Sequence, residues 1–95
     1  MIVSTFNVRR LGGRIKKNKI RELVRLNIID FLALQETKLE EVTPLCFSIW
    51  RSEDCDWVFR PSKGSSGDII SIWRKSCASL VSSFQGEGYV GVILE

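Results

Sequence analysis

Apolar and small polar residues alternate in Ile2-Val3-Ser4-Thr5-Phe6. A period of two with β-branched residues predicts a strand that ends at Asn7. Gly12-Gly13 then breaks the chain, so Arg9–Arg14 reads as a loop at the carboxyl end of that strand. Over Lys16–Asn27 the period changes. Ile20, Leu23, Val24 and Asn27 stand at i, i+3, i+4 and i+7, which predicts a helix with one apolar stripe and Asn18 as its N-cap. Ile28–Gln35 is nearly continuous apolar, broken by Asp30. A run apolar at both parities predicts a strand covered on both faces, as parallel strands are. Strand, helix and strand at this spacing predict a βαβ unit with a right-handed crossover. That unit would bring Asn7 and Glu36, far apart in sequence, to one edge of adjacent parallel strands. In open α/β sheets ligands bind at that edge.

Beyond Thr37 the pattern is weaker. Val42, Leu45, Cys46 and Ile49 have helical spacing within Leu39–Trp50, but Pro44 predicts a helix that starts there or an irregular segment. Arg51–Asp56 is polar and reads as a loop. Trp57–Arg60 and Ile69–Trp73 predict a hairpin across Pro61–Gly67. Cys77–Phe84 and Tyr89–Leu94 predict another across Gln85–Gly88. The last residue, Glu95, follows an apolar strand directly, as if the chain were cut inside a sheet.

Composition narrows the chemistry. The chain of 95 residues contains no histidine. This excludes Ser-His-Asp and Cys-His nucleophile systems and any His-ligated metal within it. Cys46, Cys55 and Cys77 form no C-x-x-C pair, and three free thiols are expected. No apolar run approaches the ~20 residues of a membrane span. The apolar stretch before Arg9 is too short for a secretory signal, so an intracellular location is expected. Charge is uneven: residues 1–27 hold eight Lys or Arg against Glu22, and residues 28–56 hold seven acids against two bases. The basic third fits either a polyanionic partner or a solvated helix face. Arg9, Arg10 and Arg14 fall at the predicted mouth, where they would contact phosphates. The helix lysines face away from it and are set aside. Trp50, Trp57 and Trp73 are read as core aromatics, and Asp54 and Asp56 as a solvated loop. Lys63–Gly67 lacks the spacing of a phosphate loop and reads as a hairpin connection.

A carboxylate and a carboxamide at one sheet edge are hard oxygen donors suited to Mg²⁺ or Mn²⁺. The residues TFNVRRLGG, DFLALQETK and SKGSSGDIISIW resemble the endonuclease/exonuclease/phosphatase (deoxyribonuclease I-like) superfamily. They most resemble the amino-terminal endonuclease domain of plant non-LTR retrotransposons (long interspersed elements). The likeness runs from about Ile2 to the end. It implies an α/β fold: the amino-terminal half of a four-layer sandwich, with the βαβ unit followed by a partly irregular helix and β-hairpins. It implies that Asn7 orients the scissile phosphate and the metal site, that Glu36 binds the metal, and that Lys38 stands where the family often has a lysine. With Arg9, Arg10 and Arg14, Lys38 would make the DNA contacts. It also implies metal-assisted phosphodiester hydrolysis, a DNA partner and a nuclear setting. Arg10 and Asp68 stand where the family commonly has glycine. The family's later aspartates, asparagine and catalytic histidine have no counterpart here. The expectation is therefore one incomplete domain over residues 1–95, a truncated nuclease with little activity alone. The uncovered sheet face would then be available for self-association. A non-catalytic nucleic-acid-binding protein, a degenerate retroelement product and a phosphoester phosphatase are the alternatives.

Overall fold

A computed structural model describes residues 1–11, 13–39, 43–50, 54–62, 67–86 and 88–95. The described residues are mixed α/β, with two helices, a four-stranded sheet and a two-stranded sheet. The four-stranded sheet contains β1 (Val3–Asn7), β2 (Phe31–Gln35), β3 (Asp56–Arg60) and β4 (Ile69–Trp73), in the order β1-β2-β4-β3. β1 and β2 pair in parallel, with α1 (Arg14–Asn27) between them in sequence. β4 runs antiparallel to both β2 and β3. α2 (Thr43–Trp50) precedes β3, and β5 (Leu80–Gly86) and β6 (Tyr89–Leu94) form the separate hairpin.

The register sorts the sheet into two faces. Phe6, Leu34, Ile70 and Phe59 form one cross-strand row, and Ser4, Leu32, Ile72 and Trp57 form the next. Leu32, Leu34, Ile70 and Ile72 are fully buried there, with Ile20 and Val24 of α1 and Leu45 and Ile49 of α2 in the same core. Burying side chains of this size stabilises by roughly 1.5–3 kcal/mol each. The opposite face is covered unevenly. Trp73 and Ser71 are buried and Phe31 stacks on Trp73 at 6.0 Å, while Val3, Thr5 and Asn7 on edge strand β1 are exposed. β6 packs against β3 and β4. In the hairpin, the rings of Phe84 and Tyr89 lie across Gly91 and Gly86, and both rings remain exposed.

Several local expectations are corrected. The helix begins at Arg14 after Gly13, which makes no side-chain cap. Asn18 is thus not the N-cap; its Oδ1 accepts from Arg21 Nη2 at 2.9 Å. The helix stops at Ile28, which turns left-handed (φ 52°) and donates its N–H to Val24 O. β2 therefore starts at Phe31, not Ile28. Ile29 enters the core, and Asp30 Oδ2 accepts from Ile2 N at 3.0 Å. Cys77 is free and exposed, but Cys55 is buried and disulfide-bonded. A disulfide needs no C-x-x-C spacing, so the lack of that motif carried no information about Cys55. The Lys63–Ser66 part of the connection and Arg51–Glu53 lie outside the described residues, as does Gly12. Among the described residues no helix is long and apolar enough to cross a membrane.

Asp54 is an organising group. Its carboxylate accepts from Ser76 N (2.8 Å) and Ser76 Oγ (2.6 Å), and Arg74 lies between it and Asp30. Hydrogen bonds from Ser76 hold Asp54 below the usual carboxylate range. The backbone N–H of Ile2 does the same for Asp30, with smaller help from Cys77 and Arg74. A lowered folded-state pKa means the unfolded chain binds these protons more readily. Their stabilisation is thus complete above the ordinary carboxylate pKa, near ~3.9, and is lost as pH falls through the folded values. Thermal melts from pH 7 to pH 2 should be flat at first and fall steeply below about pH 4. An Asp30→Asn, Asp54→Asn double variant should start lower and show a shallower acid limb. An acid limb of unchanged steepness would contradict this assignment.

Candidate functional site

The site is built where β1 and β2 end together. Asn7 is the last residue of β1 and pairs in register with Gln35, the last of β2. Glu36 follows directly. The parallel ladder continues past both strands: Val8 N donates to Gln35 O (3.0 Å), Arg10 N to Glu36 O, and Leu11 N to Thr37 O (2.8 Å). Arg9 and Arg10, exposed in the β1–α1 loop, are thereby tied beside Glu36 and Thr37, and the exposed Lys38 lies one residue further along. Arg14 opens α1, exposed, at the end of the same loop.

Two groups that the sequence did not mark as site residues hold this edge in shape. The first is Asp68, 4 % exposed, just ahead of β4. Its carboxylate accepts from Thr37 N (2.6 Å), Thr37 Oγ1 (3.0 Å) and Lys38 N (2.8 Å), while its backbone oxygen accepts from Glu36 N (2.9 Å). These four bonds fix the turn in which Glu36 and Lys38 both take positive φ, 56° and 55°. A single acid was legible in the sequence, but its partners stand about thirty positions away. The available signal was chemical: an acid at the mouth of a buried strand must find donors. The second is Lys16. Its ammonium donates to the carbonyls of Val8 (3.0 Å), Arg10 (3.2 Å) and Arg9 (3.4 Å). Lys16 therefore points toward the mouth, against the expectation that the helix lysines turn away, because the loop folds its carbonyls back over the start of α1.

The candidate ligands differ from Asp68 in one respect. Among the described residues, no hydrogen bond or ion pair engages the Glu36 carboxylate or the Asn7 carboxamide. Glu36 is half-buried and lines an open cleft of about 540 Å³ with Lys38, Phe59, Pro61, Ser62 and Gly67. Gly67 lies against the Glu36 side chain: a Cβ there would come within 2.8 Å of Glu36 Cγ. Among the described residues no three His, Cys, Asp or Glu side chains gather as a metal cluster. Asn7 ends the neighbouring strand at the same sheet edge but does not line this cleft. Mg²⁺ retains several waters and takes as few as one or two protein carboxylates, so the Glu36 carboxylate fits part of a divalent site.

No family model matches the chain, and no curated protein matches it.

Proposed function

We propose that this chain carries part of a divalent-metal phosphodiesterase site acting on DNA, of the type its sequence resembles in the endonuclease/exonuclease/phosphatase superfamily. In this reading the α/β fold of the described residues corresponds to the amino-terminal half of that family's four-layer sandwich. The supporting observation is the pair of unengaged hard donors, Asn7 and Glu36, at neighbouring ends of parallel strands, beside an acid whose oxygens are already bonded. Glu36 would hold the divalent ion, Mg²⁺ or Mn²⁺. The Asn7 carboxamide orients a phosphate oxygen, and Arg9, Arg10, Arg14 and Lys38 supply positive charge around it. A bound divalent ion stabilises charge on the phosphate. With no histidine in the chain, proton transfer by an imidazole has to come from elsewhere, and hydrolysis by these residues alone is weak.

The test begins with the metal. Titrating Mn²⁺ into the ¹⁵N-labelled chain should broaden the amides of Asn7, Val8 and Gln35–Thr37 before all others. Glu36→Gln should abolish the broadening, and Mg²⁺ in excess should reverse it. Broadening centred elsewhere, or unaffected by Glu36→Gln, would remove the metal site. Supercoiled plasmid incubated with the chain and Mg²⁺ should stay essentially unnicked. Strong nicking lost in Glu36→Ala would mean that these 95 residues hold a complete site.

A further inference from the structure

The structure carries a second basic feature, away from the strand ends. Arg14, Lys17, Arg21 and Arg25 recur along α1 at steps of three and four residues, which aligns them on one side of the helix. At ~1.5 Å per residue the row is about 16 Å long. It flanks the buried stripe of Ile20 and Val24 on the side that meets α2. Two contiguous grooves lie along it. The first, about 330 Å³, is lined by Arg14, Lys17, Asn18, Arg21 and Ser48. The second, about 460 Å³, continues past Arg21 and Arg25 to Arg74 and has Trp50 in its wall.

Three observations separate this row from an ordinary solvated face. None of the four cations forms an ion pair among the described residues. Glu22 is the only acid among the described residues lining either groove. And the groove wall is aromatic: Trp50 is half-buried, its Nε1 donates to Ile29 O at 3.3 Å, and its surface contributes to the cleft. That hydrogen bond and the packing of the ring against the core hold Trp50 in place where it borders the groove. A positively charged groove that follows a backbone, with an aromatic platform beside it, is the arrangement that holds single-stranded nucleic acid without sequence preference.

We infer that the α1–α2 groove is a binding track for single-stranded nucleic acid. The phosphates run along Arg14, Lys17, Arg21 and Arg25, and a base is taken against Trp50. The row starts at Arg14, beside the strand ends, so a strand on the track leads toward the Asn7–Glu36 edge. Binding on the track needs neither metal nor hydrolysis, and it stands or falls separately from the phosphodiesterase reading.

Fluorescence anisotropy with a labelled 15-nucleotide oligothymidylate, in EDTA over a series of salt concentrations, tests the track. Single-stranded binding should weaken steeply with salt, by about 0.7 in the log–log slope per phosphate neutralised. A Lys17→Gln, Arg21→Gln, Arg25→Gln variant leaves the mouth arginines intact. It should lose about 2 from that slope and bind about 10- to 100-fold more weakly at low salt. Lys19→Gln, off the row, should change affinity less than about twofold. A triple variant with wild-type affinity and slope overturns the track. So does equal or tighter binding of a duplex of the same length, or binding of anionic vesicles that matches the oligonucleotide and responds to the same substitutions. Glutamine retains helix propensity, and an unchanged circular dichroism melt confirms that the variants are folded.

Discussion

Replacing Asp68 by alanine is expected to lower stability by about 3–5 kcal/mol, because the change strands donors as well as removing bonds. The carboxylate receives Thr37 N, Thr37 Oγ1 and Lys38 N, and Thr37 is fully buried. Once those N–H and O–H groups lose their acceptor, no water reaches Thr37 to replace it. An unsatisfied buried donor costs roughly 1–3 kcal/mol, and bonds to a charged acceptor lie at the upper end of the usual range. For a domain of this size the midpoint temperature should drop by more than about 12 °C. Two milder variants keep the interpretation open to test. Asp68→Asn preserves shape but turns an amide NH₂ toward donors, and should cost about 2–3 kcal/mol. Thr37→Val deletes the bond from Oγ1 to Asp68 and the longer one that Oγ1 accepts from Leu39 N (3.3 Å), leaves Asp68 two side-chain bonds, and should cost about 1–2 kcal/mol. Urea denaturation of the three variants should return that order. An Asp68→Ala cost below about 1 kcal/mol would mean that the turn does not depend on the carboxylate.

The Asp68 cluster also shows why part of the site was legible in the sequence and part was not. Asn7 and Glu36 could be brought together from pattern alone. Period two before Asn7, period 3.6 through Asn27 and an apolar run before Glu36 leave little choice but adjacent parallel strands, and β1 and β2 do pair with Asn7 opposite Gln35. Such periodicities are set by which side chains leave water, and they are written locally. The devices that shape the mouth are not local. Asp68 acts on residues 37 and 38, Lys16 acts on carbonyls whose direction depends on a left-handed loop, and neither leaves a periodic trace. Element ends failed for a related reason. Ile28 is apolar and β-branched, so pattern assigned it to the strand, yet it terminates the helix in a conformation that its side chain disfavours. Backbone geometry overrode propensity there. Arg10 is a second such case: it has φ 90°, a conformation that glycine adopts at little cost and an arginine does not.

That conformation leads to the second large expected effect. Arg10→Gly should stabilise the chain by about 1 kcal/mol. A non-glycine residue held at positive φ costs on the order of 1–3 kcal/mol, and the greater freedom of glycine in the unfolded chain offsets part of the relief. Ile28→Gly should give a gain of similar size, about 1 kcal/mol, since Ile28 sits at φ 52° as the left-handed helix cap and is 68 % exposed, so little burial is lost. The two positions flank opposite ends of a 14-residue helix, about 20 Å apart, so their gains should add to about 2 kcal/mol and raise the midpoint by about 8 °C or more. Charge is the competing explanation at position 10, because Arg10 lies in a crowded basic loop with Arg9 and Lys16. Arg10→Ala separates the two causes. It removes the guanidinium but keeps a Cβ at φ 90°, so relief of backbone strain predicts no gain from alanine and a clear gain from glycine. If alanine stabilises as much as glycine, repulsion in the loop rather than its backbone is what Arg10 adds to the folded state. In either case Asn7 and Glu36 keep their places, since the bond from residue 10 N–H to Glu36 O survives both substitutions.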